Sequence, residues 1–273
     1  MYRMEKGDWE DSEVIRLRNH GIMKELIYIH LNAVHQYTMS YGIEFREFVK
    51  CLPKELNNVL LLKHNFDYSD FNMHTLLDYV EKDNLDRLLK EDVYEYGDFC
   101  WLDFEDTDGL NELEGQEIAE LLYLGHSKQH LSGPFYSKLN NRYVYLSHDD
   151  GWFNKTYYRF LTDFYYMLGH VIALKMSHIR GEKGLFNLKR GREFPSVPRD
   201  VIASFKDKMK EGMVISISRA NQTRHKIEIP VWVIGDYINM DEMVDDYLDK
   251  TGETPDGQLV YDKKMREWSA LFK

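Results

Sequence analysis

Apolar residues recur at a helical spacing through the first third of the chain. Residues 21–40 carry an apolar side chain at every third or fourth position, which predicts one apolar face of a helix. Further helices are predicted from the segments EFREFVKCL, KELNNVLLLK, MHTLLDYV and NLDRLLKED. The pattern therefore predicts a mainly helical region over residues 1–92.

The pattern changes after this region. The segment YGDFCWLDF, residues 96–104, is rich in aromatic residues and predicts a buried strand. A helix is predicted from GLNELEGQEIAELLYLG. The segment FYSKLNNRYVYLSHD then predicts a β-hairpin, because Asn140 and Asn141 tolerate the positive φ that a tight turn requires.

The last third of the chain predicts a long helix and a second hairpin. The helix covers residues 160–178, and the hairpin joins MVISISR to KIEIPVWVI. Pro230 lies in the second of these strands and cannot donate to a ladder, so that strand is expected at a sheet edge or at a bulge. Three more helices are predicted from VIASFKDKMK, MDEMVDDYLDK and KKMREWSALF.

The order of these elements predicts an α+β fold. A helical N-terminal region, residues 1–92, is followed by a mixed strand and helix core with two β-hairpins, residues 93–273. The strands and helices of the core do not alternate regularly, which argues against a parallel βαβ sheet. This division is compatible with a single packed domain.

Composition indicates a globular protein. Of the 273 residues, 43% are hydrophobic and 30% are charged, which is enough apolar surface for a core. The two cysteines, Cys51 and Cys100, exclude a disulfide framework and a four-cysteine zinc site. The N-terminus lacks the apolar run of a signal peptide, and no apolar stretch is long enough to span a membrane. We therefore expect a cytoplasmic protein that does not bind membranes.

Charge is distributed unevenly along this acidic chain. The net charge of −11 argues against general nucleic-acid binding, because contacts to phosphates need Lys and Arg. Residues 67–120 contain 18 acidic and 3 basic residues, whereas residues 175–210 contain 10 basic and 4 acidic residues. Such asymmetry is typical of proteins that use charged surfaces in recognition.

The segment GHSKQHL is a candidate metal site. On a helix, His126 and His130 would lie on one face, four residues apart, as in metalloenzymes that bind one ion. His148, Asp149 and Asp150 could complete a ligand set for a divalent metal with open coordination positions. The alternative is structural: the histidines end a helix, where the helix dipole favours them, and the aspartates form a turn.

The basic segment FNLKRGREF is a candidate binding loop. Lys189, Arg190 and Arg192 could bind a phosphate or an acidic partner surface. The alternative is an exposed loop that is charged only for solubility. The acidic segment WLDFEDTDG has the wrong register for an EF-hand, which needs glycine at the sixth loop position and a ligand at the first.

Two functional hypotheses remain. The chain contains no GxSxG, P-loop, GxGxxG or CxxC motif, so the first hypothesis is a non-enzymatic protein that binds a macromolecular partner, such as a protein, through charged and aromatic surface. The second is a metal-dependent enzyme that uses a His/Asp site within residues 126–150. A bound ion would there lower the pKa of a coordinated water and generate a nucleophile.

Overall fold

The described part of the chain forms one antiparallel sheet of twelve strands. A computed structural model describes residues 25–63, 77–90, 99–124, 133–148, 153–182 and 194–272. The strands are β1 (Leu26–Asn32), β2 (Tyr37–Tyr41), β3 (Asn58–Lys63), β4 (Asp78–Glu81), β5 (Cys100–Phe104), β6 (Tyr143–His148), β7 (Phe153–Tyr158), β8 (Met213–Ser216), β9 (Asn221–Gln222), β10 (Lys226–Val233), β11 (Gly257–Asp262) and β12 (Glu267–Phe272).

Short helices and one long helix connect these strands. The helices are α1 (Phe45–Cys51), a 3-10 helix (Lys82–Asn84), α2 (Leu85–Leu88), α3 (Thr107–Asn111), α4 (Gly115–Leu124), α5 (Leu161–Glu182), α6 (Arg199–Ala203), α7 (Lys206–Glu211) and α8 (Met240–Lys250). The N-terminus of α8 is capped by Asn239, whose side chain accepts hydrogen bonds from the backbone N–H groups of Asp241 and Glu242. No described helix is both long and apolar enough to cross a membrane.

The strand order places chain-distant strands side by side. It runs β12-β11-β10-β8-β1-β2-β7-β6-β5-β3-β4, and β9 pairs with β10 beside this path. Strands from both predicted regions are neighbours in the sheet, because β1 pairs with β8 and β2 pairs with β7. The sheet is therefore continuous across the predicted boundary at residues 92 and 93.

The predicted helical N-terminal region is wrong. Residues 26–41 form the β1–β2 hairpin, and the segment KELNNVLLLK forms β3. Both strands of the hairpin are buried on both faces of the sheet, so their apolar residues do not alternate with polar ones. The helical spacing of Leu26 and Ile29 arises from this two-sided burial, and Ala33 lies in the turn that follows β1. The predicted α+β class with two hairpins is likewise replaced by one twelve-stranded antiparallel sheet.

Two further predictions failed for local reasons. The segment KKMREWSALF forms the turn and strand β12 rather than a helix. The segment FYSKLNNRYVYLSHD contains only β6, which pairs with β7 instead. Asn140 does adopt a positive φ of 47°. Asn141, however, is buried and holds a loop, accepting from the backbone N–H of Tyr136 and donating to the carbonyl of Pro134.

Other elements agree with the sequence. The helices α1, α4, α5 and α8 and the buried strand β5 lie where the patterns predicted them. Strands β8 and β10 pair as predicted, but β10 is an interior strand of the sheet. Pro230 is tolerated there because β10 pairs with β8 only from Val231 onward, so that side is unpaired at the proline.

Helices cover the sheet on both sides. We call the side that packs against α1, α5, α6 and α7 the first face, and the side that packs against α4 and α8 the second face. Buried residues of the first face include Ile29, Trp101, Tyr145, Leu168 and Ile215. Buried residues of the second face include Tyr28, Leu102, Leu121, Tyr157 and Tyr247. The central strands therefore contribute to two hydrophobic layers.

A buried ion pair joins α5 to α1. The ammonium of Lys175 lies 2.9 Å from a carboxylate oxygen of Glu47, and both side chains are buried. Removal of one partner would leave the other charge buried without its counter-ion. The pair therefore holds α5 in register against α1.

Lys175→Met is expected to lower the free energy of unfolding by about 3–5 kcal/mol, because Glu47 would stay buried as an unpaired carboxylate. Urea denaturation measures this loss. Lys210→Met is the control, since its pair with Asp207 is exposed and should contribute little. If both variants lose similar stability, the buried pair is not a specific support of the fold.

Gly169→Ala is expected to destabilise the fold. A Cβ at this position in α5 would lie 2.1 Å from the carbonyl oxygen of Val197, so the backbone of residues 194–198 would have to move. Gly115→Ala in α4 is the matched control, because nothing lies within 4 Å of the added Cβ. Thermal unfolding should show a lower Tm for the first variant and an unchanged or higher Tm for the second.

Candidate functional site

Most residues predicted from the sequence as site residues lie outside the described residues. This applies to His126, His130, Asp149, Asp150, Lys189, Arg190 and Arg192. His148 is described, as the last residue of β6. Within the described ranges, no group of three or more His, Cys, Asp or Glu side chains is placed to hold a metal ion. The metal and basic-loop hypotheses therefore stay predictions.

The strongest concentration of chemistry lies on the second face, over the four strands β1, β2, β7 and β6. Neighbouring residues of an antiparallel sheet project to the same face, so the strand register defines three rows. We call these rows the tyrosine cradle: Tyr28, Tyr41, Phe153 and His148; then His30, Met39, Lys155 and Leu146; then Asn32, Tyr37, Tyr157 and Val144. The four strands span about 14 Å at the usual strand spacing.

Lys155 lies in the middle of the cradle. Only 8% of this residue is exposed. Its ammonium nitrogen lies 4.5 Å from the ring centroid of Tyr37 and 5.3 Å from that of Tyr157, so two aromatic rings contact the cation. Burial lowers the pKa of Lys155 to about 8. The lysine is therefore mostly charged at neutral pH but gives up its proton more easily than a surface lysine.

A histidine–carboxylate pair lies in the same row. His30 contacts Asp236 through Nδ1, at 2.8 Å from the carboxylate oxygen Oδ1. Met39 pairs with His30 on one side and with Lys155 on the other, so two strand spacings separate the two basic residues. A carboxylate on Nδ1 fixes the orientation of the ring and leaves Nε2 as its second hydrogen-bonding atom.

The segment that carries Asp236 is held against β1 by Tyr28. The Tyr28 hydroxyl donates to the carbonyl of Gly235 at 2.9 Å and accepts from the backbone N–H of Tyr237, also at 2.9 Å. The Tyr237 ring meets the Tyr28 ring edge-on. This segment therefore forms one fixed wall of the cradle beside His30.

A buried hydroxyl in the cradle lacks a partner. Tyr41 is fully buried, and its hydroxyl has no hydrogen-bond partner among the described residues. Burial raises the pKa of Tyr41 well above its usual value, so the group is neutral. An unsatisfied buried hydroxyl costs about 1–3 kcal/mol, and such groups in native proteins call for an explanation. A bound molecule would supply that partner.

A second polar cluster lies at the ends of β5 and β6, around a surface cleft that is lined by Lys54, Asn140 and Arg142. The carboxylate of Asp103 accepts from the backbone N–H groups of Arg142 at 2.9 Å and Tyr143 at 2.6 Å. The Arg142 guanidinium and the Tyr143 hydroxyl both donate to Asp163, at 2.5 and 3.0 Å. These groups largely satisfy one another, so we interpret the cluster as a structural junction between β6 and α5.

Comparisons with known proteins find no relatives. The chain matches no protein-family model, no curated protein and no solved structure.

The sequence identified one residue of the cradle and missed the others. His148 was a candidate ligand, and the fold places it diagonally across from Lys155, because His148 pairs with Phe153 and Lys155 pairs with Leu146. Lys155 was missed because the strand FNKTYY is buried on both faces. One signal was present: Lys155 has an aromatic residue two positions away on each side, which places it in an aromatic row if the segment is a strand.

The stability contributed by Asp103 is expected to depend on pH. Burial raises the pKa of Asp103 to about 7, against the two backbone hydrogen bonds that favour the charged form. The ordinary pKa is 3.8. Between these pH values the folded chain holds a proton that the unfolded chain has released, so the free energy of unfolding falls as pH rises.

Asp103→Asn should remove this part of the pH dependence. The measurement is urea denaturation at pH 5 and pH 8, in the wild-type chain and the variant. The exposed Asp86→Asn serves as control and should keep the wild-type difference between the two pH values. An equal difference in all three chains would show that Asp103 ionises in the folded state at its ordinary pKa.

Proposed function

We propose that the protein binds a small molecule that carries an anionic group, with Lys155 as its counter-ion in the tyrosine cradle. The observation that carries this proposal is the placement of a lysine in the middle of the second face, between aromatic rings. Surface lysines are common and need no explanation, but a buried ammonium is costly and in a central strand favours a functional role.

The energetics of the lysine support a binding role. The direction of its pKa shift means that the cost of burial outweighs the contacts that favour the charged form. An anion that contacts Lys155 would offset this cost and would bind more tightly at a buried cation than at an exposed one. The cradle therefore favours a ligand whose charged group reaches β7.

The surroundings indicate the rest of the ligand. Tyr37, Tyr157 and Met39 offer aromatic and apolar surface around the lysine. The hydroxyl of Tyr41 offers a hydrogen bond, and His30 offers a polar ring atom at the side of the cradle. Binding sites for small molecules commonly combine such an apolar lining with a few polar groups. We infer a ligand with an apolar or planar body and one anionic group.

The two hypotheses drawn from the sequence stay predictions. Most described tyrosines are buried, so the high tyrosine content is explained by the core and does not support an interface: Tyr28, Tyr37, Tyr41, Tyr143, Tyr145, Tyr157, Tyr158, Tyr247 and Tyr261. The partner-binding hypothesis then depends on charge and on the exposed apolar side chains. The metal-dependent enzyme depends on His126, His130, Asp149 and Asp150, which lie outside the described residues.

Native mass spectrometry of the protein isolated without chelators tests the proposal. We expect a mass excess that corresponds to one small organic anion in the wild-type chain and is lost in Lys155→Met. Lys50→Met is the matched control, because Lys50 is an exposed lysine of α1. A bare polypeptide mass for the wild type, with a large loss of stability in Lys155→Met, would assign the lysine a structural role instead.

Affinity for the bound anion is expected to fall as pH rises through about 8, because the lysine loses its charge there. Isothermal titration calorimetry at pH 6.5, 8 and 9.5 measures the change. Lys155→Arg removes the ionisation, since arginine stays charged, so any binding it retains should not depend on pH in this range. A wild-type affinity that does not change with pH would contradict the role of Lys155.

A further inference from the structure

Strand β12 forms one edge of the sheet. Among the described residues it pairs only with β11, from Asp262 opposite Glu267 to Gly257 opposite Phe272. The register is regular over all six pairs, without a bulge. An edge of this kind presents a row of backbone N–H and C=O groups to any extended chain.

The strand lacks the features by which proteins protect sheet edges. The sequence EWSALF contains no proline and no lysine, and its one charge, Glu267, is at the start. The opposite edge is different, because β4 has only four residues and two of them, Asp78 and Glu81, are acidic. Protection is therefore present at one edge of the sheet and absent at the other.

Apolar side chains are exposed along this edge. The exposed fractions are 62% for Met265, 51% for Leu271 and 47% for Phe272. Trp268 is buried and donates through Nε1 to the carbonyl of Pro195, which anchors the strand to the first face. The strand is thus fixed in position while the end that carries Leu271 and Phe272 remains open to solvent.

Cations flank both ends of β12. Lys264 and Arg266 are exposed in the turn that precedes the strand. At the other end, the ammonium of Lys208 in α7 lies 6.0 Å from the ring centroid of Phe272. The first end also carries Lys263 and the carboxylates of Asp262 and Glu267, which leaves it one net positive charge. A chain that pairs with β12 would therefore lie between this end and the cation of Lys208.

This charge pattern distinguishes two occupants of the edge. A second copy that paired antiparallel through its own β12 would place Lys208 of one copy near Lys264 and Arg266 of the other. Lys208 of each copy would then face a net positive end of the other copy, where Glu267 offsets only part of the repulsion. A foreign segment with acidic ends would instead be attracted at both ends. The edge therefore favours a different protein over a second copy.

We propose that β12 is a docking edge for an extended segment of a partner protein, with carboxylates at both ends of that segment, which joins the sheet as an additional strand. Backbone hydrogen bonds would supply affinity, and the flanking cations would select the charge of the partner. The exposed Leu271 and Phe272 would be covered by apolar residues of the segment. This site is independent of the tyrosine cradle.

Two synthetic peptides test the proposal: EEVTVTVEE as the acidic probe and KKVTVTVKK as its basic match. Amide hydrogen exchange of the full chain should show protection of residues 267–272 with the acidic peptide and not with the basic one. Fluorescence anisotropy should give a Kd for the acidic peptide that rises at least tenfold between low and high salt.

The double variant Lys208→Glu, Lys264→Glu is expected to weaken binding of the acidic peptide at least tenfold, while Lys50→Glu leaves it unchanged. Urea midpoints of both variants check that they fold. Protection of β12 that depends on protein concentration without peptide would assign the edge to a second copy and overturn the proposal. Binding of the acidic peptide without protection of residues 267–272 would overturn it as well.

Discussion

Burial of the central strands on both faces is the constraint on which the rest of the structure depends. The strands β1, β2 and β7 contribute buried side chains to both hydrophobic layers, so these side chains leave water in both directions. Polar groups in these strands must then find partners inside. Ser40 donates to the carbonyl of Asn154, and the Asn154 amide donates to that of Ile43. The sheet thus combines two apolar layers with a few satisfied polar positions.

Tyr41 departs from this rule, since its buried hydroxyl has no hydrogen-bond partner among the described residues, and the buried Lys155 lies in the same small area of the second face. Proteins accept such local costs where function requires them, and stability elsewhere compensates. A close backbone contact helps to shape the area: a Cβ on Gly212 would lie 1.7 Å from the carbonyl oxygen of Gly235, and Gly212 has a φ of 83°. Only glycine permits this approach, which places Asp236 beside His30. The close contact between Gly212 and Gly235 is therefore required both by the fold and by the cradle.

The two proposed sites use positive charge differently. In the cradle, one buried cation acts at short range and in a low dielectric, so it favours a single anionic group in a fixed position. At β12, exposed cations act at longer range and are screened by salt, so they select the charge of a partner and contribute less to affinity. A chain with a net charge of −11 retains positive charge at both places. The negative net charge of the whole chain therefore does not predict the charge of the groups that each site binds.

The sequence alone determined the elements whose pattern does not depend on their neighbours. Helices α1, α4, α5 and α8 and the aromatic strand β5 followed from local spacing and composition. Only the tertiary structure decided that β1, β2, β3 and β12 are strands, because none of them shows the alternation of apolar and polar residues by which a strand is recognised. Burial on both faces removes this alternation from an interior strand, and exposure at the sheet edge removes it from β12. The same holds for the cradle. Lys155, His30 and Asp236 are far apart in the chain. The pairing of β1 with β2 and of β2 with β7 brings His30 and Lys155 to one surface, and the contact between Gly212 and Gly235 places Asp236 there.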